Sequence, residues 1–342
     1  MLRRMVIIAD EARAKASDPA GEPQEVAQWL RARLDDVGVN LDTEAVRIAL
    51  GASELVDTLD AARTASAGRG VPSGMISIDE AAGNFMDGEL TILAARPGVG
   101  KTALALQIAD YTARQMRPVL FVSLEMTNRE LVTRVIAAAT RLDSRDIRAC
   151  NLSTDDIKLI RAAKTDLDGV PLSLYSPPRA NILDIRAMSR LQHAQDPLRM
   201  IVVDYIGLVR PTDWRRPRHE QVSQVSADLK ALAKELSVPV LALCQLNREA
   251  DGARPRLSHL RESGSIEQDA DVVMFIHQEK GETELIIAKH RHGETGSVQM
   301  NWNPASVRFS DYGRWEPPPP DAEILQDSDR MGDWDRTGDL FE

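Results

Sequence analysis

The octapeptide Ala95-Arg96-Pro97-Gly98-Val99-Gly100-Lys101-Thr102 constrains the fold of this chain more than any other feature. Residues 90–94 before it form an apolar run typical of a buried strand, and the apolar residues after it follow helical spacing. A glycine-rich turn between a strand and a helix is typical of a phosphate-binding loop, which turns backbone N–H groups toward phosphate oxygens. Lys101 would then reach the β- and γ-phosphates of a nucleoside triphosphate, and Thr102 would ligate Mg²⁺. The alternative interpretation is an ordinary glycine-rich turn.

Composition sets the broad class of the chain. Its 342 residues are 43% hydrophobic, enough for one large domain with attachments. Cys150 and Cys244 are too few for a disulfide framework, and the apolar N-terminus stops at Asp10, too early for a secretory signal. No apolar run approaches the ~20 residues that span a membrane, so we expect a cytoplasmic protein.

The net charge of −10 argues at face value against binding to nucleic acid. However, residues 316–342 hold nine acidic and two basic side chains, so most of the negative charge lies in one tail. Net charge therefore does not exclude a nucleic-acid partner.

The pattern along the chain predicts four regions. Residues 1–50 are expected to be a helical N-terminal segment, and residues 51–73 a linker helix followed by a Gly/Ser/Ala-rich joint. Residues 74–315 alternate strand and helix patterns, which predicts an α/β domain with a mainly parallel sheet. Residues 316–342 are expected to be a disordered acidic tail.

The α/β region contains eight candidate strands, the last two of which are predicted to form an antiparallel hairpin around residues 291–296. The strands are 90–95, 118–123, 170–175, 200–204, 238–244, 271–277, 284–288 and 297–302. The helices predicted between them are 102–115, 127–141, 154–165, 181–194 and 220–236.

Polar residues end three of these strands, where an open α/β sheet forms its ligand crevice. Asp204 follows an apolar strand and would hold the magnesium shell, although an aspartate at this place is also a common turn former. Glu125 would polarise an attacking water, or else complement the dipole of the following helix. Gln245 would sense the γ-phosphate, or else be an exposed amide at a strand end.

Several segments in this order resemble the DnaB family of replicative helicases. The most specific is Leu260–Asp271, whose sequence is LRESGSIEQDAD. The same resemblance extends over about residues 71–310, including Ala95 in place of the usual first glycine of the phosphate loop. Further matching segments are Ala94–Thr102, Ser123–Met126, Ile201–Tyr205, Leu229–Leu236, Val238–Val240 and Gln245–Arg248.

The resemblance implies a RecA-like motor that forms a hexameric ring, hydrolyses ATP with Mg²⁺ and moves on single-stranded DNA, in the 5′ to 3′ direction. It makes Glu125 the catalytic carboxylate and Gln245 the coupling residue. Arg261, Glu262 and Gly264 fall on the loop that contacts the DNA backbone, for which an exposed ion pair is the alternative.

Within Lys289-His290-Arg291-His292-Gly293, the resemblance implies that Arg291 acts in trans as an arginine finger on the neighbouring subunit, with Lys289 assisting. A solvated arginine at a hairpin tip is the alternative. The two histidines lack a third ligand in the sequence pattern, so we predict no zinc site.

Two departures from the family stand out. Gly207 occupies a position where the family commonly has glutamine, and the first seventy residues match only the end of the family's N-terminal region. The expected partners are therefore single-stranded DNA and identical subunits, with a primase or a helicase loader as a further candidate. Two other functions stay open, a RecA-fold DNA-dependent ATPase of recombination and a helicase-associated adaptor without processive unwinding.

Overall fold

The computed structural model describes residues 69–210, 215–247, 253–260 and 263–312, together with 11–13, 15, 48 and 56. The chain divides into two units between Gly68 and Arg69, and the few described positions of the first unit are helical. The predictions for residues 1–50, for the linker helix and for the acidic tail lie outside the described residues, except at those positions. Arg261 and Glu262 lie outside them as well.

The second unit is built from alternating strands and helices. Its described strands are β1 (Leu90–Ala95), β2 (Val119–Ser123), β3 (Leu172–Tyr175), β4 (Met200–Asp204), β5 (Val240–Gln245), β6 (Val272–Glu279), β7 (Glu282–His290), β8 (Gly296–Asn303) and β9 (Arg308–Asp311). Its described helices are α1 (Ile76–Ala82), α2 (Lys101–Arg114), α3 (Asn128–Thr140), α4 (Ser144–Ala149), α5 (Thr154–Asp166), α6 (Ile182–Gln195), α7 (Arg218–Leu236) and α8 (Ser263–Asp269). None of the helices in the part of the chain that the structure describes is both long and apolar enough to cross a bilayer.

These strands form one sheet in the order β3-β2-β4-β5-β1-β6-β7-β8-β9. Neighbours from β3 to β6 pair in parallel, and neighbours from β6 to β9 pair antiparallel. β1, β2 and β4 are buried along their whole length, as expected for strands covered on both faces. The structure therefore confirms the predicted α/β fold with a mainly parallel sheet.

Alternate residues of β1 enter two different cores, one on each face of the sheet. Ile92 packs in the core that contains Leu229 of α7, whereas Leu93 packs in the core that contains Ile108 of α2. Because successive side chains of a strand point to opposite faces, the central strands hold two helical layers together.

The sequence predictions were right for the parallel strands and the long helices, whose ends differ by at most two residues from those predicted. The predicted antiparallel hairpin is confirmed as β7 and β8, but it belongs to a longer meander from β6 to β9. The sequence patterns missed β9 and the short helices α1, α4 and α8. Each of these helices has six or seven residues, too few to display a full apolar repeat.

Candidate active site

The predicted phosphate loop lies between the end of β1 at Ala95 and the start of α2 at Lys101. Gly100 precedes α2 in a left-handed conformation, with φ of 97°, and no described side chain caps this end of the helix. The first N–H groups of a helix have no partner within the helix, and its N-terminus carries partial positive charge. The 14-residue α2 therefore offers an anion site at the predicted position.

The antiparallel end of the sheet packs directly beneath this loop. A Cβ atom on Gly100 would lie 2.9 Å from two ring carbons of Phe309 and 3.1 Å from a ring carbon of Trp302. The two rings stack with their centroids 4.3 Å apart, and Phe309 is buried. Gly100 is thus required both for its backbone conformation and for this close approach.

Asp204 at the end of β4 contacts both functional side chains of the loop. Its Oδ2 accepts a hydrogen bond of 2.7 Å from Thr102 Oγ1, and its Oδ1 lies 3.9 Å from Lys101 Nζ. The carboxyl group is fully buried, and Oδ1 has no hydrogen-bond partner among the described residues. Burial raises the pKa of Asp204, while the charge of Lys101 and the Thr102 hydroxyl oppose that rise.

Glu125 is held at the same edge of the sheet by the turn after β2. The Ser123 hydroxyl accepts a hydrogen bond from the Met126 N–H, and the Leu124 N–H donates to the Asp204 carbonyl. Thr127 caps α3 in a reciprocal pair with Glu130, so the capping of this helix uses residues other than Glu125. Glu125 itself is exposed and faces the cavity described next.

A cavity of about 570 Å³ joins these groups, a volume typical of small-molecule sites. Lys101, Thr102 and Glu125 line it on one side, and Gln245 lines it from the end of β5. Gln245 is the register partner of Ala95 in the sheet. The structure therefore brings the predicted phosphate, magnesium, catalytic and coupling residues of one chain to a single cavity.

Arg134 of α3 also lines this cavity, and sequence reasoning missed it. Burial lowers the pKa of the Arg134 guanidinium, while the charges of Asp204 and Glu125 act in the opposite direction. Its sequence signal is an arginine between two buried apolar residues of an amphipathic helix, Leu131 and Val135. A cation placed among acidic groups in such a cavity is suited to stabilise negative charge on a phosphate.

Lys101 and Gly207 are connected through Tyr205, which follows β4. Lys101 Nζ lies 4.5 Å above the centre of the Tyr205 ring, in a cation–π arrangement. A Cβ atom on Gly207 would lie 2.7 Å from the same ring. A side chain at position 207 therefore requires the Tyr205 ring to move.

Lys289 and Arg291 lie at the opposite edge of the sheet from the phosphate loop. The Arg291 N–H donates to the Asp271 carbonyl, and the Leu90 N–H at the start of β1 donates to the Asp271 carboxylate. β1 has six residues, so about 17 Å of strand separates this edge from the phosphate loop at the other end. Arg291 does not line the cavity that its own chain forms.

The histidines beside Arg291 have structural contacts. The His290 ring shares a hydrogen bond of 3.0 Å with the Ala82 carbonyl at the end of α1 and accepts another from the His292 N–H. The His292 ring lies 3.8 Å from Glu89. These contacts hold the turn that follows β7.

Gly264 is the one predicted DNA-contacting residue that the structure describes. It lies exposed in the first turn of α8, directly after the predicted contacts Arg261 and Glu262 in the chain. α8 packs against α7 and leads through Asp271 into β6.

Residues 70–311 match the family model of the DnaB-like helicase C-terminal domain. The chain is 40% identical over 260 residues to the replicative DNA helicase DnaB of Treponema pallidum, a match that covers 75% of this chain and 59% of that protein. It is 38% identical over 245 residues to the replicative DNA helicase DnaB of Geobacillus stearothermophilus, covering 68% of this chain and 54% of that protein. The chain thus spans somewhat more than half the length of these curated relatives.

Two solved structures resemble this one. The first is an isolated ATPase domain, with a TM-score of 0.73 and 30% identity over 78% of this chain and 99% of that chain. The other is a DnaB-like replicative helicase studied for its interactions with primase, with a TM-score of 0.76 and 28% identity over 90% of this chain and 75% of that chain.

Proposed function

Because this chain belongs to the family of DnaB-like helicases, we propose that it is an ATP-driven DNA helicase that works as a ring of identical subunits. One observation carries the proposal: Lys101, Thr102 and Asp204 are in mutual contact beside a cavity that Glu125 also lines. A phosphate cradle, a magnesium site and a carboxylate for water are the parts that hydrolysis of a nucleoside triphosphate requires.

The loop from Ala95 to Gly100 and the start of α2 would bind the β- and γ-phosphates through backbone N–H groups, with Lys101 as the neutralising charge. Thr102 and Asp204 would hold the Mg²⁺ of the nucleotide, which supplies charge neutralisation at the phosphates. The fit is supported by Asp204 Oδ1, a buried oxygen without a hydrogen-bond partner among the described residues. An oxygen donor of this kind suits a hard cation that takes one or two carboxylates and otherwise binds phosphates.

Glu125 would orient the attacking water and accept its proton, because it is the carboxylate that reaches the cavity from the end of β2. Gln245 would contact the γ-phosphate and report its loss to the segment after β5. Arg96 supports this route, because its guanidinium donates a hydrogen bond of 3.1 Å to the Asn247 carbonyl in that segment. Arg134 would add a positive charge in cis.

Arg291 would act on the nucleotide of the neighbouring subunit, assisted by Lys289. The geometry supports action in trans, since Arg291 lies about 17 Å of strand away from its own phosphate loop. A site completed by a neighbour is used most economically in a closed ring, in which every interface is the same. An isolated subunit would then hydrolyse ATP very slowly.

Arg261, Glu262 and Gly264 would contact the backbone of single-stranded DNA in the channel of this ring, and movement would run 5′ to 3′. Binding through phosphates weakens steeply with salt and depends little on base sequence. We further propose the assignments of residues 1–50, 51–73 and 316–342 made from the sequence, a cytoplasmic location, and a primase or a loader as docking partner. The structural neighbour studied with primase supports the last of these.

The test is separation of a forked DNA duplex by the assembled full-length protein. We expect ATP-dependent strand separation, its loss in Lys101→Ala, and its retention in Lys158→Ala, which makes the same change on exposed α5. DNA-stimulated ATP hydrolysis without strand separation would favour the recombination ATPase. Absence of DNA stimulation, with no effect of Lys101→Ala, would favour the adaptor.

The trans assignment is tested by mixing two inactive variants. Arg291→Ala leaves a subunit with an intact phosphate loop, and Lys101→Ala leaves one with an intact finger. We expect ATP hydrolysis to return partly in the mixture, at interfaces where the second variant serves the first. A mixture as inactive as its components would overturn the assignment.

A further inference from the structure

Asp271 is a buried carboxylate through which three elements meet. It is 2% exposed and lies between α8 and β6. Its Oδ2 accepts hydrogen bonds of 2.5 Å from Lys230 Nζ of α7 and 2.8 Å from the Leu90 N–H of β1. Its Oδ1 accepts one of 2.9 Å from Arg291 Nη1. The active-site scheme proposed above gives this carboxylate no role.

The contacts of Lys289 and Arg291 reach back to the end of α8. Lys289 Nζ donates to the carbonyls of Glu267 and Ala270 at 2.5 and 2.7 Å, and Arg291 Nη2 lies 3.5 Å from the Gln268 carbonyl. The ladder between β6 and β7 shifts between Val273 and Met274, as at a β-bulge. Lys289 and Arg291 are two residues apart, so both side chains face the same side of β7, toward α8.

The bond between Arg291 and Asp271 has the properties of a releasable contact. The Arg291 side chain is 46% exposed, whereas that of Lys230 is 14% exposed. If Arg291 leaves, Asp271 keeps Lys230 and the Leu90 N–H, so no buried charge is left without a partner. The Arg291 backbone also stays in place, because its N–H donates to the Asp271 carbonyl. Only a partly exposed side chain has to move.

The protonation state of Asp271 is consistent with this role. Burial raises the pKa of Asp271, but hydrogen bonds from Lys230 and Leu90 and the charges of Lys230 and Arg291 outweigh it and hold the pKa below its usual value. The carboxylate therefore carries its negative charge at neutral pH and attracts the guanidinium.

We propose that Asp271 is a positioning residue that holds the Arg291 finger on its own subunit, against the helix that follows the DNA-contacting loop. Engagement of the finger on a neighbour's nucleotide then competes with its contacts to Asp271 and to α8. Nucleotide at one subunit is thereby coupled to the DNA contacts of the next subunit. This inference rests on the proposed trans action of Arg291 and extends it to the control of that action.

The test places the change in one subunit and measures its effect in another. Rings are assembled from Arg291→Ala, whose active site needs a donor, and Lys101→Ala, which supplies the finger. The donor is then made a second time with Asp271→Asn added. Asp269→Asn in the donor is the matched control, since it removes the same charge at the end of α8.

We expect Asp271→Asn to release the finger, so that ATP hydrolysis without DNA rises about three- to ten-fold, the range expected for loss of a partly exposed ion pair. The stimulation by single-stranded DNA should fall by a similar factor, and Asp269→Asn should change neither. Unchanged hydrolysis and stimulation with the Asp271→Asn donor would overturn the inference. A purely structural bond would act within the donor and leave the partner's kcat unaltered.

A second measurement does not depend on whether Asp271→Asn folds. In rings of the unaltered protein, hydrogen exchange of the last turn of α8 should become faster when a non-hydrolysable ATP analogue is bound. The increase should disappear in rings of Arg291→Ala, and equal exchange with and without the analogue would overturn the inference. If the two parent variants show no ATP hydrolysis when mixed, the proposed trans action has failed. If they do and Asp271→Asn has no effect, only the coupling through Asp271 has failed.

Discussion

Replacement of Gly100 by alanine tests how tightly the C-terminal strands support the phosphate loop. The added methyl group has two separate costs. Gly100 has φ of 97°, and an L-residue in left-handed backbone conformations costs about 1–2 kcal/mol. The methyl carbon would also lie 2.9 Å from Phe309 ring carbons, and Phe309 is 1% exposed, so it cannot turn freely into solvent.

Gly98 in the same loop is the matched control. It has φ of 83°, but a Cβ atom there would meet nothing within 4 Å. Gly98→Ala therefore carries the backbone cost alone, offset by about 0.4–1 kcal/mol because alanine restricts the unfolded chain. Gly100→Ala adds about 1–3 kcal/mol for overpacking against the rings. We expect it to lower the free energy of unfolding by that much more than Gly98→Ala.

The assay is thermal unfolding of the full chain, followed by far-ultraviolet circular dichroism without nucleotide. For a folded unit of this size, 1 kcal/mol corresponds to about 2–4 °C in Tm, so the two variants should differ by roughly 3–10 °C. In a Phe309→Leu background the smaller side chain leaves room, and the difference between the two variants should shrink. Equal Tm values for Gly98→Ala and Gly100→Ala in the unaltered background would refute the reasoning.

Three further predictions concern single side chains. Asp204→Asn should abolish ATP hydrolysis and yet raise Tm without nucleotide, more at pH 8 than at pH 5; a Tm gain that did not grow with pH would contradict this. The reason is that the raised pKa of Asp204 means its contribution to stability is lost as the pH rises through the folded-state value. Arg134→Ala should lower kcat about 100-fold or more, whereas Arg129→Ala, an exposed arginine of the same helix, should leave kcat unchanged; equal effects would argue against a role for Arg134. Asp311→Ala should lower the free energy of unfolding by about 1–2 kcal/mol, because its carboxylate accepts hydrogen bonds from the Ile76 and Ser77 N–H groups at the start of α1; urea unfolding beside Asp311→Asn, which keeps one acceptor, measures this.

The parallel half of the sheet could be predicted from the sequence because its strands are short and wholly apolar. Strands such as β4 are buried on both faces, so local composition alone marks them, and a polar residue such as Asp204 marks the end. β9 was missed because its four residues, Arg308–Asp311, include only one buried side chain. It becomes a strand by pairing with β8 and by placing Phe309 beneath the phosphate loop, a contact between residues more than two hundred positions apart.

The same distinction applies to the candidate site. Residues at the ends of parallel strands, such as Glu125 and Gln245, could be grouped in advance because those ends meet at one edge. Arg134 approaches from a helix, and its position depends on how α3 packs. The partners of Asp271 are 20 and 41 residues away in the chain, so its role depends on tertiary contacts.

β6 is hydrogen-bonded on one side to β1, which ends in the phosphate loop, and on the other to β7, which ends at the finger. Adjacent strands lie about 4.8 Å apart, and a hydrogen-bonded sheet resists sliding between them. Each subunit would therefore behave as a stiff lever with one nucleotide contact at each edge. A rotation of about 10° about one edge would carry the other by about 3 Å, given a strand length of about 17 Å. Changes of state around a ring would then travel as rotations of whole subunits, and each opening at one interface would be felt as a displacement at the next.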